Sequence, residues 1–163
     1  MAKNKEEKTN VMRVLEQKKI AYTPHSYPHE EGVAVDGVTV AQSMGFDPAI
    51  VFKTLVARGA SKQYYVFDVP VAENLDLKKA AKAVGEKSIE MIHQKELLPL
   101  TGYVHGGCSP VGMKKLFHTV FHSSAENLAA MIVSAGKIGY QVELAPHDLA
   151  ALVRAKFADI IVE

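Results

Sequence analysis

The alternation of hydrophobic and polar positions divides the sequence into short strands and helices. Residues 51–57 and 64–69 are rich in valine, phenylalanine and tyrosine, and the turn-forming residues 59–62 separate them, which predicts two strands joined by a tight turn. After Asp76, apolar residues recur at helical spacing as far as Val84, and Gly85 follows. This pattern predicts an amphipathic helix with Asp76 as its N-cap and Gly85 at its end.

Similar patterns predict the remaining elements. Further helices are predicted from Thr9 or Asn10, over 39–44, over 94–98 as a short helix, and from Pro146, with one more helical turn after Asp47. Further strands are predicted over 20–23, 89–92, 103–104, 116–122, 131–134, 140–144 and 157–162, with a hairpin turn over 135–139. About seven strands in mixed order with surrounding helices predict an α/β or α+β fold with a mixed, barrel-like sheet. We expect one domain over residues 1–163, with the polar residues 1–8 frayed.

Lys53 lies within one of the most apolar of these predicted strands. With a period of two, Val51, Lys53 and Leu55 share one side of the strand, and Phe52 and Thr54 share the other. Both sides are largely apolar, so we expect Lys53 to face a buried or cleft-lining surface. Burying an ammonium group without partners is costly, so this lysine indicates either a functional role or a counter-ion. The alternative is an edge strand from which Lys53 extends to solvent.

A glycine-rich loop, GGCSPVG at residues 106–112, is the second feature that suggests chemistry. Its backbone N–H groups can be exposed together, and such groups can hold an oxyanion or a phosphate. The spacing matches neither a Walker loop nor a GxGxxG fingerprint, and an ordinary tight turn is the alternative. Cys108 in this loop allows a thiol nucleophile with His105 or His118 as its base, or else a small apolar filler.

The composition favours a soluble protein of the reducing cytoplasm. Apolar residues make up 48% and charged residues 23% of the chain, with no hydrophobic leader after Met1 and no apolar run of membrane-spanning length. The single cysteine excludes an internal disulfide and a multi-cysteine zinc site. The seven histidines form no metal-binding pattern, so we expect neither a metal nor another cofactor.

The charge balance limits how the protein can contact nucleic acid. Nineteen basic and 18 acidic residues give a formal net charge of +1, whereas proteins that bind nucleic acid through phosphates alone usually have a marked basic excess. Binding to RNA would therefore depend on a local patch. The candidate lysines are Lys78, Lys79, Lys82 and Lys87, and the pair Lys114 and Lys115. The alternative is that these lysines are solvated surface residues.

Taken together, VFKTL at 51–55 and GGCSPVG at 106–112 resemble the YbaK/EbsC family of tRNA deacylases. Further motifs occur in the family's order: HSY at 25–27, LDLKKAAK at 75–82, TGY at 101–103, VSAGK at 133–137 and VELAP at 142–146. The match extends from Val11 to Ile161, nearly the whole chain. Several separated motifs in one order are far more specific than any one of them.

The resemblance implies a trans-acting enzyme that hydrolyses the ester between an amino acid and the 3′ end of tRNA. The chain is most similar to the members that act on Cys-tRNA(Pro), in which the substrate's own thiol is thought to attack its carbonyl group. Prolyl-tRNA synthetase is the partner that this similarity implies. The implied catalytic residues are Lys53, Gly107 and Ser109. The implied substrate-binding residues are Tyr27, Phe52, Gly106, Cys108, Pro110, Gly112, Ser134, Gly136 and Gln141.

Two positions depart from the family's pattern. Many members have an aspartate where this chain has Gln141, which questions an acid or base role there and leaves the substrate preference open. Cys108 replaces a residue that is often branched aliphatic or threonine, and its thiol could be sensitive to oxidation. The alternatives are a deacylase for another amino acid, such as alanine on proline tRNA, a non-catalytic tRNA- or nucleotide-binding module, and a Cys108-dependent thiol hydrolase.

Overall fold

The computed structural model describes residues 8–163, so the predicted frayed start lies outside it except at Lys8. The α-helices are α1 (Asn10–Gln17), α2 (Gly37–Ser43), α3 (Leu77–Val84), α4 (Gln94–Thr101) and α5 (Pro146–Val153), with 3-10 turns at Pro48–Ile50 and Ser123–Asn127. The strands are β1 (Thr23–Ser26), β2 (Phe52–Gly59), β3 (Tyr64–Pro70), β4 (Ile89–Met91), β5 (His118–His122), β6 (Met131–Ser134), β7 (Tyr140–Leu144) and β8 (Lys156–Ala158).

Local capping explains where the first three helices begin. The side chains of Thr9, Asp36 and Asp76 accept hydrogen bonds from the first-turn N–H groups of α1, α2 and α3. Gly85 ends α3 in the left-handed conformation, at φ 75°. The caps predicted for α1 and α3 are confirmed, and α2 begins two residues before its predicted start at residue 39.

The strands form two open sheets. The larger has the order β4-β2-β3-β5-β8, with antiparallel pairing of β2 to β3 and β4 and parallel pairing of β5 to β3 and β8. The smaller has the order β1-β7-β6 and is antiparallel. This arrangement confirms the mixed α/β class.

The expectation of a barrel-like core is wrong. Neither sheet closes on itself, because β4 and β8 remain the edges of the larger sheet and β1 and β6 remain those of the smaller. A parallel bridge between Val51 and Ile132 joins the two sheets at the start of β2. The prediction of one domain over residues 1–163 stays a prediction.

The hydrophobic core lies on both faces of the larger sheet. One cluster combines Phe52 and Val56 of β2 with residues of β6, β7, α1 and α5. A second cluster, on the opposite face, packs Ala80 and Ala81 of α3 against Ala57. Because β2 is buried on both faces, successive residues of this strand point into different surroundings.

Three strand predictions differ most from the structure. The strand predicted over 20–23 begins instead at Thr23 and contains Pro24, which an edge strand such as β1 tolerates. Tyr103 and Val104 form no strand, and the Tyr103 N–H donates to the Thr101 hydroxyl at 3.0 Å instead. The strand predicted over 157–162 is shorter, because β8 ends at Ala158.

Candidate active site

A cleft of about 370 Å³ opens where β2 begins. Its wall is formed by the start of β2, the N-terminal part of α2 and the glycine-rich loop. The end of β6 and the start of β7, which the hairpin connects, complete the wall. The residues predicted from the sequence that line this cleft are Tyr27, Phe52, Lys53, Gly106, Cys108, Ser134 and Gln141. The fold therefore brings most of the predicted binding residues to one place.

Lys53 is the cationic group that lines the cleft from β2. Its side chain is partly buried, and desolvation lowers its pKa. The carboxylates of Asp36 and Glu73 oppose that shift, because nearby negative charge favours the ammonium form. The predicted cleft-lining position is confirmed, and the negative charges of Asp36 and Glu73 partly compensate the burial of the ammonium group.

The glycine-rich loop contributes unequally to the cleft. Gly106 and Cys108 line it, whereas the Gly107 N–H donates to the Val104 carbonyl at 3.0 Å within the loop's own turn. A Cβ atom at Gly107 would lie 3.0 Å from the Ile138 backbone nitrogen, so glycine lets the loop pack against the β6–β7 hairpin. For Gly107 the structure therefore gives a packing reason in addition to the predicted catalytic one.

The later residues of the loop point away from the cleft. Ser109 is fully buried, and its hydroxyl oxygen accepts from the Val111 N–H at 3.2 Å. Pro110 and Gly112 line a separate cavity of about 190 Å³. The structure thus places Ser109, Pro110 and Gly112 apart from Lys53, and their predicted contact with substrate stays a prediction.

Two predicted polar side chains lie on the hairpin side of the cleft. Ser134 and Gln141 are cross-strand neighbours on β6 and β7. The Ser134 hydroxyl oxygen accepts a hydrogen bond from the Gly136 N–H at 3.1 Å. Gly136 does not line the cleft itself, but it orients the Ser134 side chain, which does. Gln141 is buried, and its Oε1 has no hydrogen-bond partner among the described residues. Buried polar atoms are usually hydrogen-bonded, so this unpartnered amide oxygen next to the cleft is an exception that a bound ligand could explain.

A buried carboxyl group behind Thr54 was not predicted from the sequence. Asp68 on β3 lies opposite Thr54 in the strand register and is 0% exposed. The Thr54 hydroxyl donates to Asp68 Oδ1 at 2.5 Å, and Asp68 Oδ2 has no hydrogen-bond partner among the described residues. Burial raises the pKa of Asp68 to about 7, against the opposing effect of the Thr54 hydrogen bond. The available signal was an acidic residue inside the otherwise apolar segment 64–69.

Asp36 and His105 also line the cleft and were not predicted as binding residues. Asp36 is the N-cap of α2, with its carboxylate accepting from the Thr39 N–H at 3.1 Å. The sequence did not single out Asp36, and His105 was considered solely as a base for Cys108.

Cys108 is a buried thiol at the cleft wall. Burial and the nearby Asp68 carboxyl raise the pKa of this thiol to about 12. A thiol with that pKa stays protonated at neutral pH, whereas nucleophilic cysteines act as thiolates. This environment counts against the thiol-nucleophile hypothesis and favours the small apolar filler.

Within residues 8–163, no three His, Cys, Asp or Glu side chains come together in a group that could hold a metal ion. In the same part of the chain, no helix has the length and apolar character needed to cross a membrane.

Comparison with known proteins shows the family. Residues 32–152 match the family model described as "Aminoacyl-tRNA editing domain". A protein of Enterococcus faecalis (strain ATCC 700802 / V583), named "Putative Cys-tRNA(Pro)/Cys-tRNA(Cys) deacylase EbsC", is 45% identical over 161 residues, which cover 98% of each chain.

Solved structures share the fold. One described as a "putative trans-editing enzyme for prolyl tRNA synthetase" has a TM-score of 0.79 at 24% identity, covering 94% of this chain and 95% of that one. Another, "hypothetical protein APE2540", has a TM-score of 0.82 at 18% identity, covering 93% of this chain and 99% of that one. At these identities the likeness concerns the fold alone.

Proposed function

The chain belongs to the family of aminoacyl-tRNA editing domains, and we propose that it hydrolyses cysteinyl-tRNA(Pro) in trans. A relative at 45% identity that carries the name of a Cys-tRNA deacylase over 98% of both chains supports this substrate. The structural observation that carries the proposal is the partly desolvated Lys53 in a cleft of about 370 Å³. A cleft of this size accommodates a small ligand such as an aminoacyl group with part of the terminal nucleoside.

Lys53 supplies positive charge where the substrate carries or develops negative charge. An ammonium group that is partly removed from water interacts more strongly with an anion than an exposed one does. In the proposed complex it binds the ribose-phosphate of the terminal adenosine, or the oxygen of the ester carbonyl as charge builds up on it. Asp36 and Glu73 favour the charged form of Lys53, so the cation is ready before the substrate arrives.

The substrate's own thiol is the proposed nucleophile. Its sulfur bonds to the ester carbonyl carbon, the bond to the ribose oxygen breaks, and the thiol proton passes to that oxygen. The resulting cyclic thioester is then opened by water. Positioning of the thiol close to the carbonyl contributes most of the acceleration in such an intramolecular step. The buried and protonated state of Cys108 agrees with a mechanism that needs no cysteine nucleophile from the protein.

Backbone N–H groups of the glycine-rich loop are the proposed donors to the oxyanion. Gly106 and Cys108 are the loop residues at the cleft, and backbone donors fixed by a turn need little reorganisation during the reaction. Participation of Gly107 and Ser109, which the family resemblance implies, stays a prediction.

The test is hydrolysis of Cys-tRNA(Pro), Ala-tRNA(Pro) and Ser-tRNA(Pro) by the wild type and the Lys53→Ala variant. We expect rapid hydrolysis of the cysteinyl ester alone, and a loss of at least a hundredfold in kcat/KM in the variant, the order of magnitude for one electrostatic group at a reacting oxygen. Lys18→Ala, at an exposed lysine after α1, is the matched control for loss of a positive charge.

Other outcomes lead to different conclusions. Hydrolysis of the alanyl or seryl ester at a comparable rate would replace the thiol mechanism with attack by water. Absence of hydrolysis for all three esters would favour the non-catalytic binding module. Full activity of Lys53→Ala would remove the lysine from the mechanism.

Selection of the correct tRNA is proposed to come from prolyl-tRNA synthetase. The net charge of +1 provides little general attraction to RNA, and a synthetase that has just released or still holds the mischarged tRNA would present the ester directly. The proposed substrate and partner support a cytoplasmic location, where tRNA is charged. Co-purification of the two proteins with mischarged tRNA, compared with either protein alone, tests the partnership.

A further inference from the structure

Asp68 and Thr54 form a hydrogen-bonded pair that has no role in the mechanism proposed above. Thr54 lines the cleft, whereas Asp68 lies behind it, completely buried. The hydroxyl donates to Asp68 Oδ1 at 2.5 Å, and the other carboxyl oxygen has no hydrogen-bond partner among the described residues. A buried carboxyl group with one unsatisfied oxygen is costly, so a structural role alone is a poor explanation for it.

The pair controls which hydrogen-bonding group Thr54 offers to a ligand. A hydroxyl has one donor and two acceptor lone pairs, whereas an ionised carboxylate can only accept. While Asp68 is ionised, its carboxylate therefore accepts a hydrogen bond from the Thr54 hydroxyl, and this bond uses the only donor that the hydroxyl has. The remaining capacity of the Thr54 oxygen is that of an acceptor.

The two sides of β2 divide the cleft into a charged half and a neutral half. Lys53 lies on one side of the strand, where the negative charges of Asp36 and Glu73 act on it, and alternation places Thr54 on the other side. Cys108, Phe52 and Leu97 line the cleft and belong to the core cluster on that second side. A substrate ammonium group suits the charged half, whereas a neutral thiol suits the apolar surroundings of Thr54.

We propose that Asp68 is a positioning residue that holds the Thr54 hydroxyl as a hydrogen-bond acceptor for the thiol of a cysteinyl substrate. This inference rests on the proposed function for its substrate. Thr54 contacts the thiol, and Asp68 acts only through Thr54. The bond orients the sulfur toward the carbonyl group and distinguishes a side chain with a donor from the methyl group of alanine.

The titratable surroundings of Asp68 are limited. The Cys108 thiol approaches it from the loop, and Tyr103 in turn is near Cys108. Burial raises the pKa of both groups to about 12, so neither titrates near neutral pH. Lys53, on the neighbouring strand, projects to the opposite side. His105 also lines the cleft, so a change in thiol recognition between pH 6 and 7.5 reports on Asp68 only if Asp68→Asn abolishes it.

The first experiment measures binding without turnover. The probes are 3′-amino-3′-deoxyadenosine carrying cysteine or alanine through a stable amide, and the readout is the ratio of their Kd values. We expect the wild type to favour the cysteinyl probe roughly three- to tenfold, the usual effect of one net hydrogen bond. Thr54→Val should reduce the ratio to about one, Asp68→Asn should reduce it in part, and Thr54→Ser should restore it.

Two features of the data distinguish positioning from a structural role. The ratio should rise with pH from 6 to 7.5 in the wild type and stay flat in Asp68→Asn. At low pH the protonated Asp68 can itself donate a hydrogen bond to Thr54, so the Thr54 hydroxyl is no longer held as a donor to Asp68. The double variant Thr54→Val/Asp68→Asn should be no worse than Thr54→Val alone. Asp36→Asn, in the charged half, is the control and should change both Kd values by the same factor.

Each outcome decides the proposal. Equal Kd values for both probes in the wild type, or a ratio that Thr54→Val leaves unchanged, would overturn it. Additive effects in the double variant would also overturn it, because Asp68 would then act by another route. A wild type that favours the cysteinyl probe but hydrolyses no ester would contradict the proposed function while supporting thiol recognition by Thr54.

Discussion

Lys53 and Asp68 carry opposite charges on neighbouring strands, and the fold compensates their burial differently. Lys53 is partly buried with two carboxylates near it, so its charge is balanced even though desolvation lowers its pKa. Asp68 is fully buried with a hydroxyl as its described partner, and its pKa rises to about 7. The first arrangement keeps a cation available to substrate, whereas the second makes the protonation of Asp68 depend on pH near neutrality.

Asp68 should make the protein less stable as the pH rises. Its pKa is about 7 in the folded protein and 3.8 as the ordinary value, so the folded state holds the proton more tightly. The destabilisation is absent below pH 4, grows between pH 4 and 7, and is complete above pH 7. Relative to wild type, Asp68→Asn should gain up to about 4 kcal/mol in the free energy of unfolding between pH 4 and pH 8.

Urea unfolding of both proteins at several pH values measures this difference. The comparison cancels the titration of the other groups, and Glu31→Gln, at an exposed carboxylate, serves as the control. A difference between wild type and Asp68→Asn that is the same at pH 4 and pH 8 would show that the folded protein does not hold the Asp68 proton.

Cys108 should be unreactive toward alkylating reagents while the protein is folded. The thiol is buried and its pKa is raised to about 12, whereas alkylation requires an accessible thiolate. With iodoacetamide at pH 8, mass spectrometry should find no modification of the native protein and complete modification in 6 M guanidinium chloride. Rapid alkylation of the native protein, blocked by a substrate analogue, would restore the thiol-nucleophile hypothesis and the expected sensitivity to oxidation.

At the residue scale, the sequence predicted those site residues whose type conflicts with their pattern. Lys53 was found because an ammonium group in an apolar strand needs an explanation, and the family motif matched the same residue. Asp68 presents the same conflict in segment 64–69 but lies outside the motifs that carried the resemblance. Asp68 matters because the register between β2 and β3 places it opposite Thr54. This register cannot be predicted from the local sequence.

The glycine-rich loop at the cleft keeps its position through close backbone contact with the β6–β7 hairpin. Gly107→Ala should destabilise the protein by about 1–3 kcal/mol, because a Cβ atom at 3.0 Å from the Ile138 nitrogen forces the loop away. The displacement should also lower kcat/KM for cysteinyl-tRNA, since Gly106 and Cys108 flank the substituted residue.

Gly85→Ala is the matched control for that loss of stability. Gly85 has φ +75° with no atom within 4 Å of an added Cβ, so alanine there costs about 1–2 kcal/mol of backbone strain without a clash. Thermal unfolding and kcat/KM should separate the variants, with activity lost only in Gly107→Ala. Equal activity in both variants would mean that the loop tolerates displacement.

At the element scale, capping and periodicity predicted most helices and strands, and tertiary pairing decided the rest. The caps of α1 and α3 are local hydrogen bonds, so the sequence contains them. The position of β1 is set by pairing with β7, which admits Pro24 at an edge where local rules end a strand. The division into two open sheets also follows from long-range pairing, which explains why the barrel-like expectation failed.

For the whole molecule, the charge distribution bears on how tRNA is held. Lys78, Lys82 and Lys87 are exposed and line one surface depression at α3 and β4, whereas Lys79 is paired with Asp159 and Glu163. Ala80 and Ala81 of α3 belong to the core cluster against which Leu55 packs. This places α3 on the side of β2 from which Lys53 projects. Glu86 also lines this depression, but the three lysines outnumber it and leave a positively charged patch suited to RNA phosphates.

A patch of three lysines supports weak binding that does not depend on sequence. Contacts to phosphates position an RNA but carry no sequence information. We therefore expect the isolated protein to hydrolyse Cys-tRNA(Pro) and Cys-tRNA(Cys) with kcat/KM values that agree within about threefold, a difference of less than 1 kcal/mol. Adding prolyl-tRNA synthetase should favour the proline tRNA, because the synthetase supplies the selection.

Parallel rate measurements on both tRNAs, at two salt concentrations and with or without the synthetase, test this division of labour. Replacing Lys78, Lys82 and Lys87 together with alanine should raise KM equally for both tRNAs and reduce the salt dependence of kcat/KM, since fewer counterions are released on binding. The same variant should bind the aminoacyl-adenosine probes as the wild type does, because the probes lack the phosphates that the patch contacts. Strong preference of the isolated protein for one tRNA would contradict the argument, since three phosphate contacts cannot produce it and a base-reading surface would have to exist.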